Sequence, residues 1–121
     1  MEDGQMIEIF ENVSPGFSAL YERDGRRIAM LTKADCYGEL SVLKRHTETD
    51  ESFLLFEGEA TLYFSDDGIK IEKAEMEIGK LYNVPKNTWH HLCLSDTARL
   101  IAVERCGTSK ENTESKSVNK N

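Results

Sequence analysis

The sequence predicts an all-β protein, a closed double-sheet jelly-roll barrel, and two observations support that prediction. First, its apolar residues come in short runs separated by turn residues, and no window keeps the helical i, i+3, i+4, i+7 spacing over three turns. Second, in three of these segments alternate residues share a face that is apolar at one end and ionisable at the other, as the two-residue period of a strand allows. Eight or nine such strands at this spacing are typical of a sandwich or barrel.

The apolar runs and the turns between them define the strands in chain order. Asp24-Gly25 and Asp67-Gly68 each separate two runs, and Asp-Gly is a hairpin signal because glycine tolerates the positive φ of a tight turn. Segment 70–78 comes nearest to a helical pattern, but it is short and lacks capping residues, so we interpret it as mostly strand. The other predicted strands are centred on residues 6–10, 17–21, 28–31, 40–43, 53–56, 60–64, 81–84, 90–94 and 100–103.

The length of 121 residues favours one domain. We place it at residues 6–106, between a flexible N-terminus at 1–5 and a disordered tail at 107–121. The tail holds one aliphatic residue, Val118, so it offers too little apolar surface to offset the entropy lost on ordering.

Composition narrows the class of function. A net charge of −7 without a basic stripe argues against a nucleic-acid partner. No apolar run is long enough to cross a bilayer, and the first residues do not resemble a signal peptide. The three scattered cysteines form no CxxC pair. These features favour a cytoplasmic protein whose partner is a small molecule rather than a membrane.

Three predicted strands share a pattern that locates a candidate site. In each, the side chains on one face are apolar at one end and ionisable at the other. This is expected of a barrel with a packed interior and a polar site near its mouth. The three faces hold Leu40, Val42, Lys44 and His46; Glu51, Phe53, Leu55 and Glu57; and His90, Leu92 and Leu94.

The residues around the first two of these strands resemble a motif of the cupin superfamily. The family pattern is G(x)5HxH(x)3–4E(x)6G, and here Gly38 is followed at the same spacings by Lys44, His46, Glu51 and Gly58. One identity differs, because Lys44 stands where the first histidine belongs.

The second cupin motif, G(x)5PxG(x)2H(x)3N, is also met in its spacing. Gly79, Pro85 and His90 match it, while Asn87 and Leu94 replace the glycine and the asparagine. The first replacement is mild, since asparagine is among the non-glycine residues most tolerant of positive φ.

Together the motifs span residues 38–94, and the resemblance implies a small single-domain cupin with a double-stranded β-helix fold, similar to uncharacterised bacterial cupins. In cupins, the histidines and glutamate of these motifs commonly hold one divalent metal. Carried over, His46, Glu51 and His90 are the candidate ligands for Fe, Mn, Ni or Zn, and Lys44 occupies the fourth position. The alternative is a metal-free cluster in which Lys44 is the ion-pair partner of Glu51.

Lys44 has more than one chemical interpretation. A lysine in a partly apolar barrel can act as a base or a Schiff-base nucleophile, or it can bind a substrate carboxylate as a fixed cation. We therefore take Lys44, Glu51 and His90 as candidate catalytic residues. Lys44 and Tyr82 are the candidate substrate-binding residues, with Tyr82 either at the site mouth or half-buried in the core.

The sequence leaves three classes of function open. The first is an enzyme acting on a small polar or anionic metabolite. Its most concrete version is a metal-free lyase, because Thr88-Trp89-His90-His91 resembles the ureidoglycolate lyase branch of the cupin-like proteins. The others are a non-catalytic ligand-binding barrel and a structural barrel with a vestigial site. A catalytic site predicts shifted pKa values and an open mouth, whereas a vestigial one predicts a direct Lys44–Glu51 contact and no cavity. The family resemblance also implies a homodimer.

Overall fold

The protein, seen in a computed structural model that describes residues 6–12 and 14–118, consists of two antiparallel five-stranded sheets. The strand order is β1-β2-β9-β4-β7 in the first sheet and β10-β3-β8-β5-β6 in the second. The predicted all-β class is confirmed. The strands are β1 (Gly16–Arg23), β2 (Arg26–Thr32), β3 (Val42–His46), β4 (Glu51–Glu57), β5 (Ala60–Ser65), β6 (Glu72–Glu75), β7 (Leu81–Val84), β8 (Trp89–Leu94), β9 (Arg99–Arg105) and β10 (Thr113–Ser117).

Helical structure is scarce in the described part of the chain. It includes 3-10 turns at Asp35–Tyr37 and Lys110–Asn112. No helix in residues 6–12 and 14–118 is long and apolar enough to cross a membrane.

The core lies between the two sheets, because alternate residues of each strand face inward. Leu31, Leu55 and Leu100 are at most 1% exposed. Each such side chain stabilises the fold by about 1.5–3 kcal/mol relative to leaving it in water. Toward one end of the barrel the inward positions become ionisable, and Glu51 and His90 are buried there. The polar end of the barrel therefore sits on an apolar interior.

The N-terminal part of the chain differs from the prediction. Residues 6–10 form no strand; Ile7 and Ile9 are largely exposed, and Phe10 packs edge-on against Tyr21 with ring centroids 5.3 Å apart. The expected strand at 6–10 was therefore wrong, because short apolar runs predict strands only where a backbone partner is available. Residues 1–5, for which we expected flexibility, lie outside the described residues.

The structure also corrects the predicted disordered tail. Residues 107–118 fold back, and β10 pairs with β3 in a register that sets Thr113 opposite His46. The Arg45–Glu114 ion pair joins the same two strands. Composition missed this strand because its order comes from backbone hydrogen bonds to an open sheet edge rather than from apolar burial. Residues 119–121 of the predicted tail lie outside the described residues.

Gly58 lies at the end of the barrel opposite Glu51. It joins β4 to β5 with a φ of 76°, and a Cβ built there would lie 2.6 Å from the Ala98 backbone. Gly25, in the predicted Asp24-Gly25 hairpin turn, has a similar φ of 78° but nothing within 4 Å of such a Cβ. A substitution at Gly25 therefore measures the cost of positive φ alone, whereas one at Gly58 adds the cost of a clash with the backbone of Ala98.

We expect Gly25→Ala to lower the free energy of unfolding by about 1–2 kcal/mol, the cost of a left-handed conformation. Gly58→Ala is expected to cost more than about 3 kcal/mol, since the backbone of Ala98 cannot rotate away from the new methyl group. Urea denaturation of both variants measures the difference. Equal losses in the two variants would contradict the importance of the Gly58–Ala98 approach.

Candidate functional site

The structure brings three of the predicted site residues together at one end of the barrel. His46 ends β3, Glu51 begins β4 on the facing sheet, and His90 is the second residue of β8. His46 Nε2 lies 2.9 Å from Glu51 Oε1, and His90 Nε2 lies 3.6 Å from the same oxygen. One nitrogen or oxygen from each of the three residues lies within 4.8 Å of the other two. They form a compact cluster, the triad, that could hold one metal ion.

Hydrogen bonds behind the triad orient both imidazole rings. His90 Nδ1 lies 3.0 Å from the carbonyl oxygen of Thr88, and because a carbonyl only accepts, Nδ1 carries a proton. His46 Nδ1 lies 2.9 Å from the Thr113 hydroxyl of β10. In a neutral His90 the lone pair of Nε2 therefore points toward the Glu51 carboxylate. The Nε2 lone pair and the carboxylate oxygen repel each other unless a positive charge, either a proton or a metal ion, lies between them.

A cavity of about 850 Å³ opens beside the triad. Phe53 packs beneath it, with its ring centroid 6.2 Å from that of His90. Tyr37 and Lys44 line the cavity, as do Thr113 and other residues of the C-terminal segment. The cavity argues against a vestigial site, which would have none.

Lys44 lies on the cavity wall and not beside Glu51. It is opposite His90 in the β3–β8 pairing, and its side chain is exposed. Among the ion pairs of the described residues, Glu51 contacts His46 and His90 and not Lys44. The interpretation of Lys44 as the direct counter-ion of Glu51 was therefore wrong. Its position leaves the substrate-binding and catalytic interpretations open.

Tyr82 does not line this cavity. It lies opposite Phe53 in the β4–β7 pairing, further from the polar end than Glu51, and its hydroxyl accepts a hydrogen bond of 2.9 Å from the Glu77 backbone amide. It lines a separate cavity of about 380 Å³ and packs against the core. The structure thus places Tyr82 in the half-buried core position and away from the triad, and its substrate-binding role stays a prediction.

Two residues at the site escaped sequence reasoning, Glu104 and Arg27. Strand register places Arg27, Glu104 and Glu51 side by side across β2, β9 and β4. Arg27 Nη1 donates to Glu104 Oε2 at 2.9 Å and to the Thr108 carbonyl at 3.2 Å. A signal was present, because the alternation along β9 passes from apolar residues to Glu104 as it does in the other site strands.

Comparison with solved structures identifies the fold. A cupin-2 domain-containing protein from Shewanella frigidimarina has a TM-score of 0.57 at 18% identity, covering 87% of this chain and 92% of that one. An RmlC-like cupin family protein with a double-stranded β-helix fold, from Methanocaldococcus jannaschii, also has a TM-score of 0.57, at 17% identity over 81% and 89% of the two chains. The chain has the cupin fold. The predicted double-stranded β-helix is confirmed.

One similar structure is HppE, solved with Fe(II) and a substrate. Its TM-score is 0.61 at 15% identity, covering 81% of this chain and 58% of HppE, so this chain spans little more than half of that protein. Such distant similarity shows the fold and not the activity. No protein-family model and no curated protein sequence matches the chain. The ureidoglycolate lyase resemblance, the homodimer, the cytoplasmic location and the lack of a nucleic-acid partner stay predictions.

The two adjacent carboxyl groups of the candidate site, Glu51 and Glu104, are held in different protonation states. Burial raises the pKa of Glu51, but the hydrogen bond from His46 and the nearby His90 ring, when these imidazoles carry a proton on Nε2, outweigh burial and lower that pKa to about 2. Burial and the adjacent Glu51 charge raise the pKa of Glu104 to about 7, against the opposing effect of Arg27. Below pH 7 the pair therefore holds one negative charge and one proton.

The raised pKa of Glu104 makes the stability of the metal-free protein depend on pH. Between pH 4.5 and about 7 the folded state retains a proton that the unfolded state releases, so the free energy of unfolding falls as pH rises through this range. We expect Glu104→Gln to reduce this fall by on the order of 1–2 kcal/mol. Urea denaturation at pH 5 and pH 8 measures it, with the exposed Glu59→Gln as control. A fall as steep in Glu104→Gln as in the wild type would contradict the raised pKa.

Proposed function

We propose that the protein is a metal-dependent cupin acting on a small polar or anionic metabolite, with one divalent transition metal held by His46, Glu51 and His90. The observation that supports this most directly is at His90. Its Nδ1 proton is committed to the Thr88 carbonyl, so in the neutral ring the lone pair of Nε2 faces a carboxylate oxygen 3.6 Å away. A metal ion between these atoms would satisfy both.

The donor set and its spacing fit such an ion. Two imidazole nitrogens and one carboxylate oxygen suit Fe, Mn, Ni or Zn. Metal–ligand bonds of about 2.1 Å put neighbouring ligands about 3 Å apart, close to the 2.9 Å and 3.6 Å that separate Glu51 Oε1 from the two histidine nitrogens. When bound, the ion would supply a Lewis acid to polarise a substrate oxygen or to activate water. Three protein ligands leave room for a substrate on the cavity side.

Lys44 supports an anionic substrate. Its side chain lies on the cavity wall next to His90, and it is not neutralised by Glu51. A compact ammonium group in this place would bind and orient a carboxylate or phosphate beside the triad. Glu104 lies within the same cavity lining and would carry a proton near the substrate below about pH 7.

A second candidate is a metal-free lyase of the ureidoglycolate type. The contact of 2.9 Å between His46 Nε2 and Glu51 Oε1 favours it, because a protonated His46 would satisfy the carboxylate without any metal. The pKa of His46 is lowered by burial, but its hydrogen bond to Glu51 raises it above the ordinary value. The His46–Glu51 pair would then serve as the acid and base.

Metal binding separates the two candidates. We expect chelator-treated protein to bind one equivalent of Fe(II), Mn(II), Ni(II) or Zn(II), measured by calorimetry and elemental analysis. His90→Ala and Glu51→Gln should each lower the affinity by more than about 100-fold, since each removes a ligand. His91→Gln is the matched control, because His91 Nε2 is engaged by the Gly38 carbonyl at 2.8 Å. No binding by the wild type would contradict the metal proposal and favour the lyase.

Anion binding tests Lys44. We expect metal-loaded Lys44→Met to bind glycolate and glyoxylate roughly 10- to 100-fold more weakly than the metal-loaded wild type, because the variant loses one charged hydrogen bond. Lys73→Met on β6 serves as the control, since Lys73 does not line the cavity. Unchanged affinity in Lys44→Met would show that the ligand does not use this ammonium group.

A further inference from the structure

An apolar wall lies in the same cavity as the triad, on the side of the first sheet. We infer that the ligand of this site is an amphipathic acid, whose anionic head binds beside the triad and Lys44 and whose aryl or alkyl tail packs against Phe17. This inference rests on the proposed function, because it names the class of acid that the proposed site takes. The two can fail separately, since the head and the tail contact different residues.

Phe17 faces the barrel interior, yet much of its surface is left accessible. It lies opposite Leu31 in the β1–β2 pairing, and residues that are directly opposite project from the same face of a sheet. The same row continues through Leu100 on β9 and Leu55 on β4. These three leucines are at most 1% exposed, whereas Phe17, at the edge of the sheet, is 39% exposed and lines the cavity. The row of core side chains therefore ends in an aromatic ring that is open to the cavity.

Polar residues of the second sheet form another wall of the cavity. Ser115 on β10 is opposite Lys44 in the β10–β3 pairing, so both side chains project from one face, and both line the cavity. The whole of β10, with the sequence TESKS, carries no apolar side chain. An inward position occupied by serine leaves space that a leucine would fill in a close-packed core. The cavity is therefore apolar on one wall and polar on another, which suits a ligand with two dissimilar ends.

The distance between the polar and apolar parts of the cavity sets the length of the ligand. Arg27 lies in the row of Glu51, and Leu31, four residues later on β2, lies in the row of Phe17. At about 3.3 Å per residue, the two rows are about 13 Å apart. A metal–oxygen bond of about 2 Å and a ring contact of about 4 Å take up part of that distance. The cavity volume of about 850 Å³ also suits an acid with a tail of several carbons.

The test uses two acids that share a head and differ in the tail. 4-Phenyl-2-oxobutanoate is 2-oxobutanoate with a phenyl ring added, so the ratio of their dissociation constants isolates the contribution of the ring. Binding to the Zn(II)-loaded protein is measured by calorimetry. Phe17→Ala removes the proposed contact. Phe56→Ala is the matched control, because Phe56 is also on the first sheet and is 40% exposed, but it faces the Arg99 guanidinium and does not line the cavity.

We expect the phenyl ring to strengthen binding to the wild type roughly 10- to 100-fold, as the burial of an aromatic group does. Phe17→Ala should reduce this ratio by at least about 5-fold and leave the affinity for 2-oxobutanoate unchanged, whereas Phe56→Ala should keep both. Ser115→Leu fills the cavity from the polar wall and should also reduce the ratio, and it decides the question if Phe17→Ala does not fold. A wild-type ratio in folded Phe17→Ala would overturn the inference.

The outcomes also separate this inference from the proposed function. A wild type that binds metal and 2-oxobutanoate but gains no affinity from the phenyl ring overturns the inference and leaves the proposed function standing. A wild type that binds no metal overturns the proposed function, and the same two acids then test the tail contact on the metal-free protein. Failure of both acids to bind either form would overturn the inference as well.

Discussion

The buried carboxylate of Glu51 is the constraint on which the polar end of this barrel depends. Its residue is 5% exposed, and removing a charge from water costs several kcal/mol unless partners replace the lost hydration. His46 supplies part of that compensation through its contact of 2.9 Å, and the His90 Nε2 atom lies 3.6 Å from the same carboxylate oxygen. The apolar interior beneath strengthens these contacts, because electrostatic interactions are larger where water is excluded. Because Glu51 is buried at the start of β4, the strands around it must supply polar side chains that compensate its charge.

Each partner of Glu51 is itself held by a second contact, and together these form a polar row across both sheets. On one side, Glu104 lies beside Glu51 and is bound by Arg27. On the other side, His46 is bound by Thr113 at the opposite edge of the site. Strand register fixes the spacing of this row, so the site is carried by the sheets rather than by loops. Lys44 adds a cation to the cavity wall, which is the basis for the anionic ligand that we propose.

Much of the fold was predictable because its signals are local. The two-residue alternation and the turn residues placed nine of the ten strands, and Asp24-Gly25 forms the expected turn with φ values of 56° and 78°. Asn87, at a glycine position of the second motif, adopts a φ of 67°, as its tolerance of positive φ predicts. His46, Glu51 and His90 were recognised because the spacing within each motif puts them at the same end of their strands.

The features that only the tertiary structure decided depend on pairing between segments that are distant in sequence. Glu104 and Arg27 belong to the site because register sets them beside Glu51, and register depends on the whole sheet rather than on the sequence near each residue. The same register moves Tyr82 away from the cavity. The order of β10 comes from backbone hydrogen bonds to the open edge of β3, which any residue except proline can make, so composition carries no sign of it. The sequence by itself therefore determined the barrel and the triad. The residues that line the rest of the site were decided by strand pairing and register, which depend on the whole fold.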